Sequence, residues 1–213
     1  MKKQLLRVLL VISFLTSAAA SLAQPKREFR AAWIQCVNGQ FMNMPAQTMQ
    51  NTLARQLDML QQTGCNAIIF QVRAECDALY ANAKEPWSRF LTGGQGKAPT
   101  PLWDPLQWMV EQCHRRNMEL HAWINPYRAK TKFTKQLDNG HIAIKHPERV
   151  FPYDGQMILN PALQENRDYI CDIIADIVSR YDIDGLHMDD YFYPYPAAGQ
   201  TIPDAACFSR DNN

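Results

Sequence analysis

Ala67-Ile-Ile-Phe-Gln-Val-Arg73 is an apolar run of strand length that closes on two polar side chains, Gln71 and Arg73. Upstream of it, Met49, Leu53, Leu57 and Leu60 recur at helical spacing, and Gly64 stands where such a helix should stop. Before that helix comes a first strand candidate, Phe29-Arg-Ala-Ala-Trp-Ile-Gln35. Strand, helix and strand in this order make one βαβ unit and predict a parallel sheet.

The pattern repeats downstream. Asp104-Pro105 reads as an N-cap followed by proline at the first helical position, and Leu106, Met109, Val110 and Cys113 form one helical face. Glu119-Leu-His-Ala-Trp-Ile-Asn125 supplies a third strand. Asn160-Pro161 repeats the cap-and-proline signal, and Leu163, Ile170, Ile173, Ile174 and Ile177 give the next helix its buried stripe. Gly185-Leu-His-Met-Asp-Asp-Tyr191 is the fourth strand and its end. Four successive strand-helix steps with no long antiparallel run fit the first half of an eight-stranded (β/α)8 TIM barrel. A doubly wound sheet competes, but no glycine-rich nucleotide-binding turn follows the first strand. The long segments 74–103 and 126–159 read as irregular, aromatic-rich material on the carboxyl-end face, where barrels build their sites.

At the amino terminus, Lys2, Lys3 and Arg7 precede an apolar run from Val8 to Leu15, and Ser21-Leu22-Ala23 has the small-x-small form of a signal-peptidase site. Residues 1–23 therefore read as a signal peptide and 24–213 as the barrel segment, exported to a bacterial periplasm, envelope or exterior. The apolar run is short for a bilayer span, so no stable membrane span is expected. Removing the three basic residues from 22 Lys and Arg leaves 19 against 21 Asp and Glu, a net charge of about −2. Nothing in that balance favours nucleic acid or another polyanion as partner. The six cysteines are widely spaced without a CxxC, which indicates neither a zinc knuckle nor a redox pair and leaves disulfides open. Cys113 and Cys171 are expected to pack on apolar helix faces.

The four strand ends share one chemistry. They carry Trp33 and Gln35; Gln71 and Arg73 with Glu75; His121, Trp123 and Asn125; and His187 with Asp189 and Asp190. Polar residues at period two point to one side of a strand, so these ends converge on a polar, aromatic-walled mouth. The same residues read equally as interior groups that hold one another in place. Alternation puts His187, Asp189 and Tyr191 on one face and Met188 and Asp190 on the other. A carboxylate there serves as nucleophile, general base or metal ligand; Asp189 is thus the mouth-facing catalytic candidate, and Asp190 an orienting residue or a ligand to neighbouring backbone. Arg73 either clamps a carboxylate, pairs with Asp189, or forms a structural pair with Glu75. His121 and His187 lack a third ligand at recognisable spacing, so no metal and no cofactor is expected. Trp87 and Trp103 read as stacking walls, or else Leu79, Tyr80 and Trp87 form a small core within their loop.

Several of these stretches also carry a family resemblance. Phe29-Arg-Ala-Ala-Trp33, Gln71–Tyr80 with Glu85-Pro-Trp-Ser88, Leu120–Arg128 and Tyr181–Pro194 resemble the bacterial glycosyl-hydrolase-like 10 family. The resemblance implies a (β/α)8 barrel related to glycoside hydrolases of the bacterial envelope, some of them linked to peptidoglycan glycan strands. Gly185-Leu-His-Met-Asp189 is also similar to the fourth-strand pattern of amylase-type barrels. That likeness places Asp189 at the nucleophile and His187 where those enzymes usually have arginine, with Asn125 near the sugar-binding mouth. The implied substrate is a glycan, bound by Trp33, Gln71, Arg73, His121, Trp123, Asn125, His187 and Tyr191. Glycosidases set two carboxyl groups about 5–5.5 Å apart for retention or about 6.5–9.5 Å apart for inversion. Asp189 and Asp190, on opposite sides of a strand, are not that pair, so the partner is expected beyond Asn213. The segment alone is then expected to be inactive, with exposed barrel edges open to self-association. The alternative is a non-catalytic glycan-binding or scaffold protein on the same barrel.

Overall fold

The computed structural model describes residues 28–190, 193–205, 207 and 209; the segment 1–23 read as a signal peptide, and Tyr191, lie outside them. Along the chain, β1 (Ala31–Ile34), α1 (Ala46–Gln62) and β2 (Ala67–Arg73) are followed by the one-turn α2 (Arg89–Thr92) and by α3 (Pro105–His114). Next come β3 (Glu119–Ile124), β4 (Arg128–Lys130), the one-turn α4 (Ile142–Lys145), β5 (Val150–Tyr153) and β6 (Gln156–Leu159). Finally α5 (Gln164–Arg180) leads to β7 (Gly185–His187).

Strands β1, β2, β3 and β7 form one sheet in that order, every pair parallel. Its register brings Trp33, Ile69, His121 and Gly185 into one lateral row, and Gln71, Trp123 and His187 into the next row towards the carboxyl ends. Residues in register share a face, and residues two apart on a strand do too, so both rows lie on the same side. The other side carries Ile34, Ile68, Phe70, Val72, Leu120 and Ala122. It packs against Met49, Leu53 and Leu57 of α1, Leu106, Met109 and Cys113 of α3, and Ile173 and Ile177 of α5. Each such side chain contributes roughly 1.5–3 kcal/mol by leaving water. All three long helices therefore cover one face of the sheet, the way a barrel wall is covered; a doubly wound sheet has helices on both.

Local sequence explains most of the element ends. Asp104 accepts hydrogen bonds from the backbone N–H groups of Leu106 and Gln107 at 3.1 Å each, and Pro105 opens α3. Gly64, at φ +88°, turns the chain out of α1. The start of α5 differs from expectation. Asn160 accepts from Ala162 N–H at 3.0 Å, a local turn, and the helix begins only at Gln164 with no side-chain cap. Instead the buried Asn166 donates to the carbonyls of Arg149 and Asn160 and ties the helix to the preceding loop.

A second correction concerns residues 126–159, which are not irregular. Strands β4, β6 and β5 make an antiparallel three-stranded sheet, and β5 and β6 are joined by Asp154-Gly155. Both residues have positive φ, +47° and +71°, as a two-residue hairpin turn requires. Among the cysteines, Cys113 is buried as expected, but Cys171 lies exposed on the outer side of α5; all six are free. Trp87 and Trp103 pack partly buried against the main core, of which the fully buried Leu79 and Tyr80 are members, so the loop has no separate core of its own there.

Candidate active site

The uncovered face of the parallel sheet is aromatic and polar. Trp33 is 63% exposed there, and its indole N–H donates to His187 Nε2 at 3.2 Å, which requires that nitrogen to carry no proton. The His187 ring also meets Trp123 edge-on, with centroids 6.1 Å apart. One row back, His121 lies against Phe29 and hydrogen-bonds Glu119 at 3.0 Å. Its ring occupies the space in front of Gly185, where a Cβ would stand 2.6 Å from His121 Nδ1. Gly185 is thus the absent side chain that makes room for the imidazole.

At the carboxyl ends of the strands, polar groups are buried but incompletely paired. Gln71 is fully buried; its Oε1 accepts from Cys36 N–H and Val37 N–H, each at 3.0 Å, and so bends the chain after β1 over the end of β2. Asn125, also fully buried, accepts from Tyr127 N–H at 3.2 Å and Arg128 N–H at 2.8 Å, which turns the chain from β3 into β4. In both cases the carbonyl oxygen is used and the amide nitrogen is not. Gln71 Nε2, Asn125 Nδ2, Trp123 Nε1 and Asp189 Oδ1 are buried and have no hydrogen-bond partner among the described residues. An unsatisfied buried polar atom costs about 1–3 kcal/mol, and protein folds keep few of them. Three donors and one carboxylate oxygen on the neighbouring ends of β2, β3 and β7 are therefore an arrangement that water or a hydroxylated ligand would complete.

Arg73 takes a different place from the one expected. It is fully buried and forks onto Glu85, with both N–H···O distances 2.7 Å, while Nη1 donates to the carbonyl oxygens of Asn125 and Pro126. Tyr169 of α5 donates to Glu85 at 2.7 Å. Arg73 pairs with neither Asp189 nor Glu75, and without exposed surface it cannot clamp a substrate carboxylate. A guanidinium this deep is held charged by a paired carboxylate, and Glu85 provides one. Glu75 instead binds Arg89 at 3.2 Å and accepts from Thr131 N–H at 2.7 Å and from Thr134 Oγ1. Burial, and next the Glu75 carboxylate, push the Asp77 carboxyl up. Burial likewise pushes the Cys76 thiol up to about 12, so it is a packed thiol and not a thiolate nucleophile.

From residue 28 to 213 the sequence matches the family described as Glycosyl hydrolase-like 10. The chain belongs to that family. It is 43% identical over 194 residues to glycosyl hydrolase YngK of Bacillus subtilis (strain 168), an alignment that covers 88% of this chain and 38% of YngK. Against glycosyl hydrolase DigH of Escherichia coli (strain K12) it is 35% identical over 158 residues, covering 70% of this chain and 36% of DigH. The chain thus spans well under half the length of these curated relatives. In fold it is similar to a hypothetical protein from Ruminiclostridium thermocellum ATCC 27405, with TM-score 0.51 and 12% identity over 85% of this chain and 92% of that one. It is also similar to the maltogenic α-amylase AmyB of Thermotoga neapolitana, with TM-score 0.49 and 14% identity over 86% of this chain and 42% of that one.

On this glycosyl-hydrolase-like chain the structure brings Trp33, Trp123 and His187 together and places Gln71 beside Trp123 in register. His121 lies one row deeper. Strand pairing ends at His187, so Asp189 stands two residues past the ladder. Asp189 is half-buried and Asp190 exposed, and they differ in environment although the strand no longer enforces alternation. Sequence reasoning missed the roles of Glu85 and Tyr169, because Glu85 lies 12 residues from its partner Arg73 and Tyr169 lies 84 residues from its acceptor Glu85. The Asp154-Gly155 pair is a hairpin signal that the reading of 126–159 as irregular passed over.

Proposed function

We propose that this chain supplies the nucleophile-bearing part of a (β/α)8 glycoside hydrolase that cleaves O-glycosidic bonds in a bacterial envelope glycan of the peptidoglycan type or in another complex glycan. The observation that carries this reading is the set of unpartnered buried atoms, Gln71 Nε2, Trp123 Nε1, Asn125 Nδ2 and Asp189 Oδ1, at or just past the ends of the adjacent strands β2, β3 and β7. Donors of that kind bind sugar hydroxyls, and Trp33 offers an exposed ring beside them for a sugar face. Asp189 attacks the anomeric carbon or stabilises its positive charge. Family membership and the names of the curated relatives support the reaction class.

The general acid comes from elsewhere. Glu75 and Glu85 are committed to Arg89 and Arg73, Asp77 accepts from the backbone of its own loop through Oδ1 while its Oδ2 is buried without a partner among the described residues, and Asp190 is exposed. Further strands that close the barrel at the β1 and β7 edges would bring the acid opposite Asp189; in their place, a second copy would find two open edges. Export follows from the basic, apolar and small-residue order of residues 1–23. Among the described residues no helix is long and apolar enough to cross a membrane.

The decisive test is Asp189→Asn in the protein that carries the complete barrel. Turnover of a cleavable glycan should fall by about 10²–10³ or more while circular dichroism and glycan binding persist. Near-normal turnover would remove Asp189 from the reaction. Glycan binding by the unaltered protein without any turnover would replace the hydrolase by a binding module.

A further inference from the structure

We infer that the cleft between the loops after β2 and β3 is a second saccharide subsite, separate from Asp189, which takes a sugar unit carrying a carboxylate. The inference rests on the glycan reading above and adds a site and a ligand chemistry to it. The cleft has a volume of about 430 Å³, within the range of small-ligand sites, and its walls include Arg89, Gln95, Phe133, Lys135 and Asp138. A second hollow of about 240 Å³ shares Arg89 and Phe133 with it and reaches Val37, just after β1. Both hollows are built from segments that follow the carboxyl ends of β1, β2 and β3 in the chain, and Asp189 is not in the wall of either.

Phe133 is the first reason to expect a sugar. Its ring is 74% exposed, yet the loop that carries it is tied down on both sides. Thr131 N–H donates to Glu75 at 2.7 Å, and Thr134 Oγ1 donates to Glu75 and accepts from Arg89 Nε at 2.8 Å. Glu75, fully buried, thereby staples the β2 and β3 loops together beneath the ring. A solvent-facing aromatic ring on a tied-down loop, between a polar cleft and a smaller hollow, is a platform for the C–H face of a pyranose.

The carboxylate follows from the donors around that platform. Arg89 uses Nε for Glu75 and Thr134, and its Nη atoms have no hydrogen-bond partner among the described residues. Lys135 pairs with no carboxylate among them, and Lys132 stands over the Phe133 ring at 5.5 Å. Gln95 Oε1 accepts from Asp138 N–H at 2.9 Å, which fixes the amide and leaves Nε2 as a buried donor without a partner. The one carboxylate in the wall of the larger cleft, Asp138, is engaged by Gly140 N–H at 2.7 Å and is packed against Gly96. Guanidinium, ammonium and amide donors around one ring ask for an acceptor-rich anion of modest size, and a sugar carboxylate is that group.

Calorimetric titration of the full chain tests this with two matched probe pairs: trigalacturonate against galactotriose, and N-acetylmuramic acid against N-acetylglucosamine. The pairs distinguish a carboxylate on the ring from one on an ether side chain. Phe133 and Lys135 are exposed, so Phe133→Ala and Lys135→Glu should fold normally by circular dichroism. At least one acidic probe should bind about tenfold or more tightly than its neutral partner, lose about tenfold in each variant, weaken with salt, and be unaffected by Asp189→Asn. Equal binding of acidic and neutral probes, no binding of any probe, or affinities unmoved by both variants would overturn the subsite. Loss of acidic-probe binding on Asp189→Asn alone would overturn it and leave the central site standing. Conversely, normal turnover by Asp189→Asn with probe binding still dependent on Phe133 would defeat the proposed hydrolase assignment of Asp189 and keep the subsite.

Discussion

The two faces of the same four strands make opposite use of their side chains. On the helix-covered face, Ile68, Phe70, Val72, Leu120 and Ala122 are fully buried against three helices, and every contact they need is within the sheet and its crossovers. On the other face, Trp33 is largely in solvent, His121 and His187 are half-buried, and buried nitrogens of Gln71 and Trp123 have no acceptor among the described residues. The contrast separates what stabilises the fold from what is available to a ligand. Apolar alternation has built a finished core on one side, while the other side holds polar groups in position without completing their hydrogen bonds.

Truncating one large side chain on each face should have very different costs. Phe70→Ala should cost about 3–5 kcal/mol, because it removes a buried ring and leaves a cavity. Trp33→Ala, on the uncovered face, should cost under about 1.5 kcal/mol, the scale of its ring contact with His187, while it weakens glycan binding. Denaturant unfolding measures both, and equal losses would mean that the two faces are equally part of the core.

Glu85→Gln tests whether the buried ion pair behaves as part of the finished side. Removing the charge leaves Arg73 buried without its carboxylate and should destabilise the chain by about 3–5 kcal/mol. Tyr169 also loses its charged acceptor, so the loop and α5 should loosen together in hydrogen exchange. An unchanged unfolding midpoint would show that Arg73 finds another acceptor.

Gly185→Ala probes the uncovered face more gently. The new methyl would meet the His121 ring at 2.6 Å, which should cost about 1–3 kcal/mol. Combined with His121→Ala, the cost should fall below the sum of the two single changes, since they share one space. Strict additivity would sever that contact from the argument.

The smallest expected effect is a pH dependence at the foot of the sheet. Partial burial disfavours the charged Asp184, but the Leu120 N–H donor at 2.8 Å and His114 at 2.9 Å outweigh it and hold the carboxyl below its ordinary 3.8. A depressed folded-state value means that this carboxylate contributes stability above pH 3.8 and loses it as pH falls through the lower folded value. Asp184→Asn should therefore lower the melting temperature near neutrality and flatten its decline in acid. An identical acid limb in both proteins would show that other carboxylates govern it.

How legible these features were depended on whether their cause was local. The apolar run Ala67–Arg73, the helical i, i+4, i+8 spacing of Met49, Leu53 and Leu57, and the Asp104-Pro105 cap each carry their explanation within a few residues, and strand β2 appears with the expected bounds. Their order along the chain also determined that the sheet would be parallel, because crossovers of helix length leave no other pairing. Asn160 was read as a cap and became a turn, since an asparagine side chain serves either purpose and only the packing of Asn166 selected between them. Which strand ends would gather was legible from period-two alternation, but which of their atoms would be consumed was not. Arg73 went to Glu85 and the oxygens of Gln71 and Asn125 went to backbone N–H groups, which left amide nitrogens, an indole and Asp189 Oδ1 unpaired. Hydrogen bonds and ion pairs act over about 3 Å between residues far apart in sequence, so the fold had to bring the candidates together before burial could decide among them.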